Sequence, residues 1–456
     1  VSAPPRPRPA ALAFAVGLVL ADSSVVVLAL PQIYRDLDTS VAGVTWVLVS
    51  FNLTMALAAV PAAHLARRAG PARAAAFGLA VFAGAGIACG LSSELGTLIA
   101  ARCVQALGGA AAVTAVLELL PAAVGSERRA AAVWAVAGAT GAALGPAAGG
   151  LLTELVSWQS IFLVQAPLAI VAGAPLLAVA RHEASTSILA SELRRTGRPH
   201  LLANLALALV SSAIAAALFL LVLLLIEGWR LSPIGAAIVV SAMPLATLLG
   251  ARLGPGAGGV RARAAAGAIL VSGGLGGLAL LPHAEVALTL PPQLLVGVGL
   301  ALVLSALTET ALAGRAPQAI HGGWTISARH AGVAIGLIVL TPVFTADIAQ
   351  QRRDAIDAGT AVVLDARVNP LLKLSLARRL SKRLQGERGK VPTVGPAFEP
   401  LPEDPTDRED AIRLREELQD QLDRAATHAF SPSFGIGALL GLLALIPIGL
   451  ARRVEL

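Results

Sequence analysis

The sequence predicts an all-α polytopic membrane protein: two six-helix bundles, twelve transmembrane helices in all, with a helical outer insertion between helices 11 and 12. Three observations lead there. Of 456 residues, 56% are hydrophobic and only 14% charged, with a mean hydropathy of +0.75, a composition that a water-facing surface cannot carry. Aromatic residues make up 4% while glycine occurs 45 times, which suits helices packed through small residues and not a barrel with aromatic girdles. Apolar runs of about 20 residues, enough to cross about 30 Å of hydrocarbon, recur twelve times along the chain.

The first run centres on Leu20. Arg6 and Arg8 precede it as in a leader peptide, but apolar character resumes after Asp22-Ser23-Ser24 and lasts to Leu30, so a retained full crossing is expected. Runs centred on Phe51, Phe82, Leu107, Thr140 and Leu168 complete an N-terminal bundle over residues 1–180. Residues 181–200 are polar and form a linker. Runs centred on Ala215, Ser241, Gly273, Val303 and Ala334 supply helices 7–11 within 201–345, and the run centred on Leu442 gives helix 12 and a tail over 429–456.

Orientation follows from the arginines in alternate short connections. Seventeen, among them Arg67, Arg68, Arg73, Arg128, Arg129, Arg252, Arg261, Arg263 and Arg315, fall on one side, and only Arg35 and Arg230 on the other. Both termini are therefore expected in the cytoplasm, which requires an even number of crossings. Residues 346–428 then lie on the outer face, and a loop of that length does not enter the charge rule. Leu372, Leu376, Leu380 and Leu384 recur there at helical spacing opposite Lys373, Arg378, Arg379, Lys382 and Arg383. A second helix is expected from about Asp407, with Leu414, Leu418 and Leu422 on one stripe, feeding the last span. These helices either pack on one another as a small cap or present the basic one to the outer leaflet or to a lipid-like substrate.

The net charge of +7 is spread between the spans, which excludes a nucleic-acid partner. Cys89 and Cys103 sit in or beside apolar segments with no partner spacing and no nearby histidine, so they read as packing residues and no metal site is expected. The glycine-lysine pair Gly389-Lys390 is followed by Val391, not Ser or Thr, so no phosphate loop and no cofactor is expected, nor any enzyme constellation.

Charge at mid-bilayer costs about 2.5 to 3.5 kcal/mol, so the few ionisable residues inside spans are functional candidates. Asp22 lies about 18 Å into span 1, and Arg102 about 10 Å from the outer end of span 4. The two meet if those helices are neighbours. Burial and a nearby cation act on such a carboxylate in opposite senses, a balance that can load and release a proton; the alternative is a static pair that fixes helix packing. Arg329 and His330 fall about 13 Å inside span 11, the histidine being either a packed imidazole or a proton carrier. Asn52, Gln105 and Gln165 are polar groups within spans, candidates for a substrate cavity or for interhelical hydrogen bonds. Glu118 and Glu309 reach the cytoplasmic rim, where carboxylates are commonly solvated or paired. Span 5 carries Gly141, Gly145, Pro146, Gly149 and Gly150: glycines four apart line one face, and the proline removes a helical hydrogen bond and bends the axis.

With these residues together, the chain resembles the major facilitator superfamily, and its first half resembles the drug/proton antiporter branch. The span 5 pattern is similar to that branch's antiporter motif. Arg102-x-x-Gln105 with Gly108-Gly109 resembles its span 4 motif, and Asp22 through Ala29-Leu30-Pro31 its span 1 motif. Trp46, Trp158, Phe162 and Pro167 also fall at matching places, and Phe219 to Pro244 resembles the start of a second half. After span 2 the family has Gly, Asp-Arg and Gly-Arg, where this chain has Ala63, Arg67-Arg68 and Gly70-Pro71, so the usual aspartate lock is missing. Ala106 replaces a glycine, residues 181–200 leave no room for two extra spans, and the 346–428 insertion lies outside the general pattern.

The resemblance implies alternating access by two pseudo-symmetric bundles about a central site, with Asp22 and Arg102 coupling protons to export of a hydrophobic or amphiphilic compound across the plasma membrane. Protons, membrane lipid and a small amphiphilic substrate are the implied partners. Two other readings stand beside it. One is lipid or glycolipid export, with the insertion extending the path. The other is a non-transporting receptor or scaffold whose insertion docks an extracytoplasmic partner.

Overall fold

The computed structural model describes residues 8–186, 197–253, 258–365, 398–399, 401 and 404–451. Among these, twelve helices are long and apolar enough to cross a membrane. They are α1 (Pro9–Asp36), α2 (Val41–Ala69), α3 (Pro71–Gly90), α4 (Leu95–Val124), α5 (Glu127–Leu155) and α6 (Trp158–Thr186). The second half comprises α7 (Leu201–Gly228), α8 (Pro233–Arg252), α9 (Val260–Ala279), α10 (Val286–Leu312), α11 (Gln318–Asp365) and α12 (Pro405–Leu443).

Local chemistry sets the boundaries. The Ser40, Ser126 and Ser232 hydroxyls accept from the backbone N–H of Gly43, Arg129 and Gly235 and so cap α2, α5 and α8. Gly70, at φ +98°, turns the chain sharply between α2 and α3, and Pro71 behind it opens α3. Arg67 and Arg68 occupy the last turn of α2, where cations suit a helix C-terminus.

Each helix of the first half has a counterpart six places later with the same neighbours. Helix α1 packs on α5 as α7 packs on α11, and α2 on α4 as α8 on α10. Helix α3 packs on α4 and α6 as α9 packs on α10 and α12. The close crossings repeat as well: Gly78 of α3 abuts the backbone of Gly108 in α4, and Gly267 of α9 abuts Gly299 in α10. A Cβ at any of the four would meet backbone, so glycine is what lets these axes approach.

The halves join along α2 with α11 and α5 with α8. At the end where α1 and α7 finish, Glu227 accepts a hydrogen bond from Tyr34 and lies 3.7 Å from Arg35, and the Ile234 N–H donates to Glu154 at 2.6 Å. Toward the opposite end, Ser327 donates to the Ala56 carbonyl at 2.6 Å, Gly323 meets the backbone of Ala59, and the Ala319 N–H donates to Glu118 at 3.3 Å. Contacts between halves thus exist on both sides of the bundle's middle.

Helix α11 runs for 48 residues, about 72 Å, more than twice the hydrocarbon thickness. Helix α12 starts at Pro405, next to the expected Asp407, and its Leu414, Leu418 and Leu422 are buried on one stripe. Phe344 and Phe430 stack at 4.4 Å between α11 and α12, while Trp229 donates to Thr427 at 2.9 Å. The basic amphipathic segment around Leu372 to Leu384 and residues 187–196 of the 181–200 linker lie outside the described residues.

Candidate functional site

Two adjacent features occupy the middle of the bundle. The first is a buried polar cluster inside the N-terminal half. The Arg102 guanidinium on α4 donates through Nη1 to Asp22 Oδ2 on α1 at 2.5 Å and to Gln105 Oε1 at 2.7 Å. Through Nε it donates to the Val47 carbonyl on α2 at 3.3 Å. Gln105 Nε2 in turn donates to Asp22 Oδ1 at 3.4 Å and to Gln165 Oε1 on α6 at 3.5 Å. The Cys89 thiol of α3 donates to Gln105 at 3.7 Å. Phe51 and Phe162 flank the guanidinium, at 4.2 and 5.5 Å from its carbon to their ring centroids. Both charged side chains are 0% exposed.

Such a pair survives only because each member is neutralised and hydrogen-bonded by the other; removing one partner of a buried pair costs about 3–5 kcal/mol. The aromatic faces add a cation–π attraction to Arg102. Arg102 Nη2 has no acceptor among the described residues, so the network retains a spare donor.

The span 5 glycines explain how α1 is held. A Cβ on Gly141, Gly145 or Gly149 would overlap Gly17, Ser24 or Val25 of α1, so these three residues form the seat of α1 on both sides of Asp22. Gly150 points elsewhere, against Ala237 and Pro233 of α8 in the other half. Immediately beyond the seat, α1 tightens into a 3-10 turn over Val26–Ala29 before resuming at Leu30 with Pro31. This change in winding marks a helix whose two ends are positioned by different neighbours.

The second feature is a central cavity of about 180 Å³. Its walls come from α1, α2 and α5 of one half and α7, α8, α10 and α11 of the other, and most of them are aliphatic. Ser23 and Ser24, the residues directly after Asp22, line it, whereas Asp22 itself faces the cluster behind. Pro146 of the glycine motif also lines it, as do Asn52, Arg329 and His330. Asn52 gives its Nδ2–H to the Leu48 carbonyl at 2.9 Å, so its Oδ1 is the acceptor for His330 Nδ1–H at 2.7 Å. That bond crosses between the halves and leaves His330 Nε2 as the ring's free position.

The sequence-derived candidates therefore separate into two groups. Asp22, Arg102, Gln105 and Gln165 come together in the sealed cluster; Asn52 and Arg329 come together at the cavity wall. Glu118 caps the start of α11, and Glu309 pairs with Arg263 at 2.8 Å toward the end of the second half. A larger cavity of about 800 Å³ at that end is lined by His200, Arg261, Glu309 and Arg315 among others. Burial, with the nearby Arg315 charge, holds the His200 imidazole below its usual range. Residues that the motifs did not single out are Phe51, Ser23 and His330's partner position on Asn52. The available signal for Phe51 was an aromatic side chain on a neighbouring span at the depth of Arg102.

Comparison with known proteins agrees with this architecture. The Major Facilitator Superfamily profile matches residues 12–341. The chain belongs to the major facilitator superfamily. Among its relatives, the methylenomycin A resistance protein of Streptomyces coelicolor is 37% identical over 207 residues, 44% of this chain and 42% of that protein. The tetracenomycin C resistance and export protein of Streptomyces glaucescens is 37% identical over 186 residues, 39% of this chain and 34% of that protein. These alignments span less than half the length of either relative. A bacterial homolog of the human lysosomal transporter Spinster, solved in an inward-facing and unoccupied conformation, superposes with a TM-score of 0.57 at 17% identity, covering 96% of both chains. Membership in the superfamily, with twelve apolar helices, makes this a multi-pass membrane protein.

Proposed function

We propose that this member of the superfamily is a proton-coupled secondary transporter that exports hydrophobic or amphiphilic small molecules by alternating access. The observation that carries the reading is the buried Asp22–Arg102 pair, one residue away from the wall of a cavity shared by two pseudo-symmetric halves. A proton on Asp22 cancels its attraction for Arg102, frees α1 from α4, and so links protonation to the winding of the helix that forms the cavity wall. Rotation of the halves about the cavity then exchanges its exposure from one side to the other, the motion expected of inverted or parallel repeats. Both termini are placed in the cytoplasm and the protein in the plasma membrane, in keeping with the arginine asymmetry. The resistance and export names of the relatives support efflux as the direction.

The test is proton release or uptake by reconstituted vesicles on addition of amphiphilic compounds, wild type against Asp22→Asn. Loss of evoked proton flux in the variant is expected. Gradient-driven export that persists without the carboxylate would sink the coupling role.

A second reading, export of a lipid, is favoured by one feature: α11 and α12 continue far past the length that a bilayer requires. Removal of Arg352 to Asp420 with a short linker separates the two, since a small-molecule exporter keeps its activity and a lipid exporter loses it.

A further inference from the structure

The central cavity has one sign of charge. Of the residues that line it, Arg329 and His330 are the titratable ones, and no carboxylate is among them. Asp22, the nearest acidic candidate, is fully buried on the other side of α1 and is engaged by Arg102. No hydrogen bond or ion pair joins the Arg329 guanidinium to any other described residue, which distinguishes it from Arg102, Arg263 and Arg315. A cation set in an apolar wall at that depth is unfavourable alone and becomes favourable once an anion meets it. Two hydroxyls of the cavity lining also lack partners among the described residues: Ser23 Oγ of α1 and Ser211 Oγ of α7, the latter residue only 1% exposed. One guanidinium and two spare hydroxyl donors, surrounded by Leu20, Leu218 and Phe219, make a site for an oxyanion on an apolar body.

We infer that the cavity binds amphiphilic organic acids, with the carboxylate or sulfonate on Arg329 and the tail among the aliphatic walls. The inference rests on the cavity being the substrate site of the transporter proposed above. It narrows the substrate class: a permanently cationic amphiphile meets Arg329 with no acidic group to offset it, so lipophilic cations are rejected.

The test uses the full-length protein in detergent and three probes with one tail: 4-butylbenzoate, 4-butylbenzamide and 4-butylphenyl-trimethylammonium. Apparent affinities come from ligand-dependent shifts in thermal unfolding. Wild type is expected to prefer the benzoate over the amide by about 10- to 100-fold, the range of a hydrogen bond to a charged partner. Arg329→Gln should erase that preference, Arg329→Lys should keep part of it, and Ser211→Ala should weaken the benzoate several-fold without moving the amide. Equal binding of acid and amide, preference for the ammonium compound, no shift from any probe at about 1 mM, or an acid preference that survives Arg329→Gln each overturns the inference. Export of the same probes from vesicles separates it from the transport reading. Acid-selective binding without export removes the transporter and leaves the site; export of the ammonium probe removes the anion site and leaves the transporter.

Discussion

The two halves share a scaffold and differ in where they keep their charges. In the first, α5 seats α1 through Gly141, Gly145 and Gly149, and the buried ion pair lies behind that seat. In the second, α11 seats α7 through Gly332 and Gly336, which meet the backbones of Ala208 and Ser212, and Arg329 and His330 lie on the cavity side. The irregular windings differ too. Helix α1 tightens over Val26–Ala29, while α7 widens into π turns at Ala216–Leu220 and Leu224–Gly228. Repeat packing fixes how the helices touch, and only a few side chains set the two halves apart.

The largest effect that separates the halves is expected from their arginines. Arg102→Met leaves the buried Asp22 carboxyl without its cation, and should destabilise the protein by about 3–5 kcal/mol. The double variant Arg102→Met/Asp22→Leu should regain most of that stability and none of the proposed proton coupling. Arg329→Met removes a cation with no acidic partner and should leave stability unchanged or raise it. Equilibrium unfolding in detergent reads all three; equal losses for Arg102→Met and Arg329→Met would show that Arg329 has a hidden partner and erase the contrast.

Much of this was legible in the sequence. Twelve runs of apolar residues located twelve helices, and rise per residue put Asp22 and Arg102 at depths that allowed contact. The glycine spacing in span 5 announced a close helix neighbour. Height along a helix says little about direction, because each residue turns by about 100°. So the sequence did not separate Gln105 and Gln165, which face the cluster, from Asn52 and Arg329, which face the cavity. Nor did it disclose the Asn52–His330 bond, since that depends on how α2 and α11 cross between halves. The windings of α1 and α7 were illegible for the same reason: packing against neighbours, not local propensity, sets them.

A smaller effect tests whether the seats are equivalent. Gly141→Ala and Gly332→Ala each push a methyl group into facing backbone, in the one case Gly17 and in the other Ala208, and each should cost about 1–3 kcal/mol. Gly84→Ala, on an exposed face of α3 with open space around it, should be neutral or slightly stabilising, because alanine gives up less backbone freedom. Thermal unfolding of the three variants checks this. A cost at only one seat would mean that the repeat is an accident of contact order and not a shared design of the two bundles.

The smallest effects concern polar ties outside the cluster, and here exposure decides the magnitude. Asn52→Leu removes the acceptor of His330 and should cost about 0.6 to 2 kcal/mol, the range for hydrogen bonds between membrane helices. Arg263–Glu309 has the same length class as the N-terminal ion pair but side chains 12% and 38% exposed, against 0% for both partners of Arg102–Asp22. Solvent screens the attraction and also stabilises whichever charge is left behind, so Glu309→Gln should cost less than about 1 kcal/mol. Stability measured at low and at high salt tests the distinction, because screening weakens exposed pairs and leaves sealed ones nearly untouched. A salt-independent loss of several kcal/mol in Glu309→Gln would place that pair in the same class as Asp22–Arg102, and the second half would then hold an electrostatic lock of its own.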